Sequence, residues 1–212
     1  MSKTEEKLIL FEWPWKDEKL KMCKKAVESA RAFNAPSQMS QAAKIFVGNL
    51  PNIDTTLFPV PIKKIAEDCG FKVLCQIYEQ PELSGIIGID DAFQQEYETS
   101  RIIGVNNEDN VGHQRFTIAH ELAHYIFDYD ENKDVTYYNT YKTNETETLE
   151  EQRANKFATN LLMPYDEFLK QYSNTVQKGT EPTLTDLITL SNFFGVSISA
   201  IRRRIKELTV AD

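Results

Sequence analysis

Cysteine is scarce in this chain. There are three in 212 residues, Cys23, Cys69 and Cys75. An odd, scattered set without a C-x-x-C pair argues against a disulfide framework and against a cysteine-held structural zinc site. A single Cys69–Cys75 bridge is conceivable, but reduced, packed thiols are the expectation. Positive charge is also short: 24 Lys and Arg face 32 Asp and Glu, for a net charge of −8. That balance disfavours broad, nonspecific nucleic-acid binding while leaving room for a local basic patch. Long apolar runs are missing, and those present fall far short of the ~20 residues a membrane helix needs. Leu8-Ile9-Leu10-Phe11 follows Glu5 and Glu6, is too short for a signal-peptide core and lacks a small-residue cleavage site. The expected setting is cytoplasmic, with no membrane contact. Length allows one well-cored domain plus a small appendage.

Histidine is rarer than its chemistry would suggest, with three in the chain, and two of them stand together. Residues 120–124 read His-Glu-Leu-Ala-His, between Phe116-Thr117-Ile118-Ala119 and Tyr125-Ile126-Phe127. On a helix, positions i and i+4 share a face one turn apart. His120 and His124 can then aim two imidazoles at one point, as a tetrahedral zinc requires of two ligands. Glu121 is offset around the helix and can act as general base on a water at the metal's open position. The third histidine, His113, lies among Asn106, Asn107, Asn110 and Gly112 and reads as a loop residue on the surface or substrate side.

Periodicity predicts the remaining elements. Residues 1–36 form an extension, with Trp13-Pro14-Trp15 docking it and a helix over Asp17 to Phe33 carried by Leu20, Cys23, Val27 and Ala30. Short helices are expected at Gln41–Leu50 and Ile62–Asp68, the latter opened by Pro61 and closed by Gly70. Strands are expected at Phe71–Tyr78, Ser84–Ile89 and Arg101–Val105, and the motif helix near Gln114–Phe116. Asp130 to Thr148 is dense in Asn, Thr, Asp and Glu and reads as a polar excursion. A strong helix follows, Leu149 to Leu162, with the apolar stripe Ala154, Phe157, Ala158 and Leu161, stopped at Met163-Pro164. Glu167–Tyr172 is a further short helix.

Two imidazoles leave a catalytic metal one protein ligand short. Glu150 and Glu151 open the second helix, where a carboxylate suits both a dication and a helix N-terminus. Glu151 shares a face with the small residues Ala154, Asn155 and Ala158, which lets two helices approach, and so it is preferred. Plain N-terminal helix charge is the commonest role of such a pair.

Arg115-Phe116-Thr117-Ile118-Ala119-His120-Glu121-Leu122-Ala123-His124 resembles the signature of the ImmA/IrrE family of metallo-endopeptidases. Glu151-Gln152-Arg153-Ala154-Asn155-Lys156-Phe157-Ala158, continued by Leu161-Leu162-Met163-Pro164, resembles its second block, and Val105-Asn106 also fits. The resemblance covers roughly residues 41–208. Arg153 stands where an acidic residue is common and Ala123 where Gly is common. The resemblance implies a gluzincin-like site in which His120, His124 and Glu151 hold one Zn²⁺ (Mn²⁺ or Fe²⁺ being alternatives) and Glu121 is catalytic. It implies an α+β, zincin-like fold, a small mixed sheet packed on the motif-bearing helices. It also implies a substrate that is a regulatory protein, a helix-turn-helix repressor of a mobile element or stress regulon. Tyr125, His113 and Tyr137 are candidates for a second oxyanion donor, and the strand Arg101–Val105 for pairing with extended substrate.

At the C-terminus, Leu184–Phe194, the turn Gly195-Val196-Ser197 and the apolar series Ile198, Ile201, Ile205, Leu208 have a helix-turn-helix shape. Arg202-Arg203-Arg204 and Lys206 on its second helix invite a DNA-binding reading, which the acidic whole disfavours. The resulting division is an N-terminal extension (1–36), a metallopeptidase domain (37–172) and a helix-turn-helix-like segment (173–212). The reading is a zinc endopeptidase. Its rival is a non-proteolytic antirepressor or partner-binding module on the same scaffold, against which the intact Glu121 argues.

Overall fold

The computed structural model describes residues 14–130, 136–141 and 148–209, with the side chains of 14–17, 136–139, 141 and 209 outside the description. Trp13 and the side chains of Trp15 and Tyr137 therefore lie outside the described residues. The architecture is α+β. Helices α1 (Pro14–Arg31), α2 (Met39–Gly48) and α3 (Ile62–Asp68) lead to strands β1 (Lys72–Gln76) and β2 (Leu83–Ile89), a short helix α4 (Phe93–Tyr97) and strand β3 (Arg101–Asn106). Then come the motif helix α5 (Val111–Phe127), strand β4 (Thr136–Tyr141), and helices α6 (Leu149–Leu162), α7 (Tyr165–Thr175), α8 (Leu184–Phe194) and α9 (Ile198–Thr209).

The sheet is mixed, in the order β1-β3-β2-β4: β1 runs parallel to β3, and β2 pairs antiparallel with both β3 and β4. This order overturns one expectation. Arg101–Val105 cannot accept a substrate strand, because β3 is hydrogen-bonded on both sides. The edges of the described sheet are β1 and β4, and β4 is the strand that the sequence hides. Thr136-Tyr137-Tyr138-Asn139-Thr140-Tyr141 is β-branched and aromatic enough to pair, but the acidic and amide-rich residues flanking it make the whole stretch read as polar loop.

Helix α5 begins earlier than its apolar pattern suggests. Asn110 is its N-cap, accepting from the His113 backbone amide, so His113 sits in the first turn and not in a loop. Every residue from Thr117 to Ile126 is buried. A helix so covered needs neighbours on all sides, and α6, β2, β3, α3 and α1 supply them. Its C-terminal carbonyls are met by Arg31 of α1, whose Nε donates to the Ile126 oxygen and whose second guanidinium nitrogen lies 3.3 Å from the Tyr125 and Tyr129 oxygens. At the other end Arg115 donates to the Gly195 oxygen at 2.8 Å and the Val60 oxygen at 2.6 Å, tying α5 to the α8–α9 turn.

One hydrophobic core runs from Cys23 and Ala26 in α1, through Phe46, Leu122, Ile126 and Phe157, to Leu190, Phe194 and Ile201. Helices α1, α8 and α9 thus share the core of the middle of the chain. Gly195, at φ +63°, supplies the left-handed residue that ends α8. Arg204 is buried and reaches Asn160 and the Met163 oxygen, each at 3.0 Å, and Glu207 at 3.0 Å. Arg202 and Arg203 are exposed. All three cysteines are free; Cys23 and Cys69 are buried, and Cys75 is exposed. No single helix among the described residues is long and apolar enough to cross a membrane.

Candidate metal centre

Consecutive turns of α5 place His120 and His124 side by side, and α6 crosses beside them with Glu151 in its first turn. The Thr148 hydroxyl caps α6 by accepting from the Glu151 amide at 3.3 Å, which fixes where that turn starts. The side chains converge. The two histidine Nε2 atoms lie 3.0 Å apart, His120 Nε2 is 3.3 Å from Glu151 Oε2, and His124 Nε2 is 3.4 Å from Glu151 Oε1. One donor atom from each of the three residues falls within 4.8 Å of the others. Ligands ~2.0–2.2 Å from a tetrahedral zinc are ~3.3–3.5 Å from each other, so these separations are close to those of a coordination shell.

The remaining imidazole nitrogens settle which ends face inward. His120 Nδ1 lies 3.0 Å from Asn155 Oδ1, and His124 Nδ1 lies 2.7 Å from Asp128 Oδ2. A carboxylate oxygen can only accept, and an amide oxygen likewise, so both Nδ1 atoms carry protons and both Nε2 lone pairs are directed at the shared point. Two lone pairs so close repel unless a proton or a cation lies between them. Burial opposes charge on His124, but hydrogen bonds that the ring donates to Asp128 and Glu151 outweigh it and raise the ring to about 9. Hydrogen bonds from the two histidines hold the Glu151 carboxyl far below its ordinary range. The donor set of two imidazoles and one carboxylate fits a zinc-like dication, with a charge that the site itself demands.

Glu121 is fully buried, and neither of its oxygens makes a hydrogen bond of good geometry among the described residues, although the Thr140 hydroxyl stands near enough to favour the carboxylate. Burial pushes its carboxyl upward, with the neighbouring histidines pulling it back. A buried carboxylate so weakly paired is costly unless chemistry uses it. Its position depends on the sheet. A methyl group on Gly85 of β2 would lie 2.2 Å from Thr117 Cγ2 and 3.2 Å from Glu121 Oε1. The strand approaches α5 this closely only because residue 85 has no side chain.

His113 does not join the cluster. Its Nε2 lies 3.0 Å from Ser84 Oγ and 3.6 Å from Asp109. The Tyr125 hydroxyl is held by Arg101 at 2.9 Å, and its ring packs edge-on against Phe71. Neither is placed as a free oxyanion donor. Sequence reading missed the supports of the site: Asn155 and Asp128 behind the histidines, Gly85 beneath the base, and Arg153 on Asp128. Asp128 was accessible to inspection, since it stands four residues after His124 on the same helix. Gly85 was not, because its role is a distance between two elements.

No curated protein matches the chain. A family model does, over residues 87–206, and it is described as the IrrE N-terminal-like domain of the M78 peptidases. The matched span takes in β3, the motif helix, α6 and most of the C-terminal helices, and it covers more than half the chain. The chain therefore belongs to the M78 peptidase family, through its IrrE N-terminal-like domain.

Proposed function

We propose that the protein is a zinc-dependent endopeptidase in which His120, His124 and Glu151 hold the ion and Glu121 is the general base. The observation that carries this reading is the convergence of three ligand atoms beside a buried carboxylate that makes no hydrogen bond of good geometry among the described residues. When bound, the metal would supply Lewis-acid polarisation of the scissile carbonyl and a more acidic water. Glu121 takes the proton of the attacking water and passes it to the departing amine, and its burial matches it to that double task. Asn155 and Asp128 keep the imidazoles aimed. Zinc suits two imidazoles and a carboxylate; Mn²⁺ and Fe²⁺ are outcomes that elemental analysis distinguishes.

The substrate is proposed to be a protein, a helix-turn-helix transcriptional repressor of a mobile element or stress regulon, as the family resemblance implies. An extended segment would add to the edge of β4, which pairs only with β2 among the described residues. Thr140 of β4 lies opposite Gly85 and so beside the base.

Glu121→Gln tests the mechanism. The variant should bind one metal per chain as the wild type does, and lose hydrolysis of the cognate repressor by about 10²-fold or more. Wild-type cleavage by Glu121→Gln would sink the proteolytic reading and favour the rival, capture of a regulator without hydrolysis. Glu151→Ala should lose metal; unchanged affinity would remove Glu151 from the ligand set.

A further inference from the structure

We propose that Arg153 is a positioning residue that ties the ligand His124 to the N-terminal helical segment, so that the seating of α1 helps to set metal affinity. The inference rests on the metal-centre reading above and extends it to residues outside the matched domain. Asp128, the C-cap of α5, presents one carboxylate oxygen to His124 and the other to Arg153. Oδ2 faces His124 Nδ1 at 2.7 Å, and Oδ1 pairs with an Arg153 terminal nitrogen. The other terminal nitrogen of Arg153 donates to Asn34 Oδ1 and lies 3.5 Å from the Asn34 backbone oxygen. The guanidinium also lies over the Phe127 ring, 5.4 Å from its centroid, which fixes the plane of the fork.

Asn34 stands in the connection between α1 and the single 3₁₀ turn Pro36–Gln38. Three residues earlier, Arg31 holds the carbonyls at the end of α5. The segment 31–34 therefore contacts the motif helix directly through Arg31 and the His124 partner indirectly through Arg153. Both links end within one helical turn of a proposed ligand.

The planar fork presents one terminal nitrogen to Asp128 and the other to Asn34 in a fixed geometry that a lysine ammonium does not reproduce. Without the fork, Asp128 loses its Arg153 partner, and the acceptor that keeps His124 Nδ1 protonated and Nε2 aimed inward is held less firmly. The acidic side chain common at this position in the resembled block would face Asp128 with like charge. In this chain the arginine has joined the site to α1 instead.

The test uses the full chain, stripped of metal and titrated with zinc against a chromophoric chelator, and with cobalt for its visible spectrum. Arg153→Met should weaken zinc binding by about 10- to 100-fold and shift the cobalt bands, as loss of an outer-shell partner does. Arg153→Lys should recover part of the loss. Asn34→Ala, in an exposed connection, should weaken binding less, and should add nothing further in the Arg153→Met background, since the path is already cut. Zinc affinity and a cobalt spectrum unchanged in Arg153→Met, with only a lowered Tm, would overturn the proposal and leave a structural role. If Arg153→Met does not fold, unchanged affinity in Asn34→Ala overturns it. A wild-type chain that binds no metal would defeat the metal-centre reading as well, which separates the two failures.

Discussion

His124 at about 9 makes the site a competition between a metal ion and a proton. Burial alone would have lowered the ring; Asp128 and Glu151 together reverse the sign. In the metal-free chain near neutral pH the proton is bound, and a metal ion taken by the proposed site would have to displace it. Apparent zinc affinity should therefore rise about tenfold per pH unit up to about 9, then level off. Chelator competition from about pH 6 to about pH 10 measures this, and a flat profile would contradict it. The metal-free fold follows the same sign. A raised histidine contributes stability that is present below its unfolded value of 6.5 and lost as pH rises through about 9. The meeting of His120 and His124 was legible in the sequence, because i, i+4 spacing on a helix is a geometric statement. What lay behind them was less so, since Arg153 acts through partners 25 and 119 positions away.

Between elements, β2 comes close to α5 at Gly85. Gly85→Ala would drive a methyl group into Thr117. It should destabilise the chain by about 1–3 kcal/mol in urea unfolding and slow hydrolysis by about tenfold or more through displacement of Glu121. Adding Thr117→Ser, which deletes the clashing methyl, should restore part of both. Helix α9 offers a second contrast. Its three consecutive arginines look alike in sequence, yet Arg204 packs over the Tyr165 and Phe168 rings and caps Met163, while Arg202 is exposed. Arg204→Ala should lower stability by about 1–3 kcal/mol, and Arg202→Ala by no more than about 0.5 kcal/mol, again by urea titration. Pattern reading found α6 and α8 to the residue, because caps and apolar stripes are local. It missed β4, whose identity as a strand comes from the partner β2 and not from its own flanks.

For the whole molecule, the sequence reading divides the chain near residues 36 and 172, and one hydrophobic core takes in residues from α1 to α9. A core of that kind unfolds as one unit. Tryptophan or tyrosine fluorescence and far-ultraviolet dichroism should give coincident urea transitions, and separate transitions would show independent units. Zinc at about a hundredfold over its Kd should raise that single transition by about 2.7 kcal/mol, and Glu151→Ala should abolish the gain. Composition cannot report such continuity, because burial is decided by which distant segments meet.

The burial of α5 also gives the molecule an order in time. Its apolar turns are covered from both ends of the chain: Arg31 comes from 95 residues before Ile126, and the Gly195 oxygen lies 80 residues after Arg115. A polypeptide emerging from the ribosome can form the His120–His124 turn early, yet it cannot close the N-terminal end of that helix until the α8–α9 turn has been made. The helix that carries the proposed ligands thus gets its N-terminal tie only after the α8–α9 turn has been made, although its signature lies near the middle of the chain.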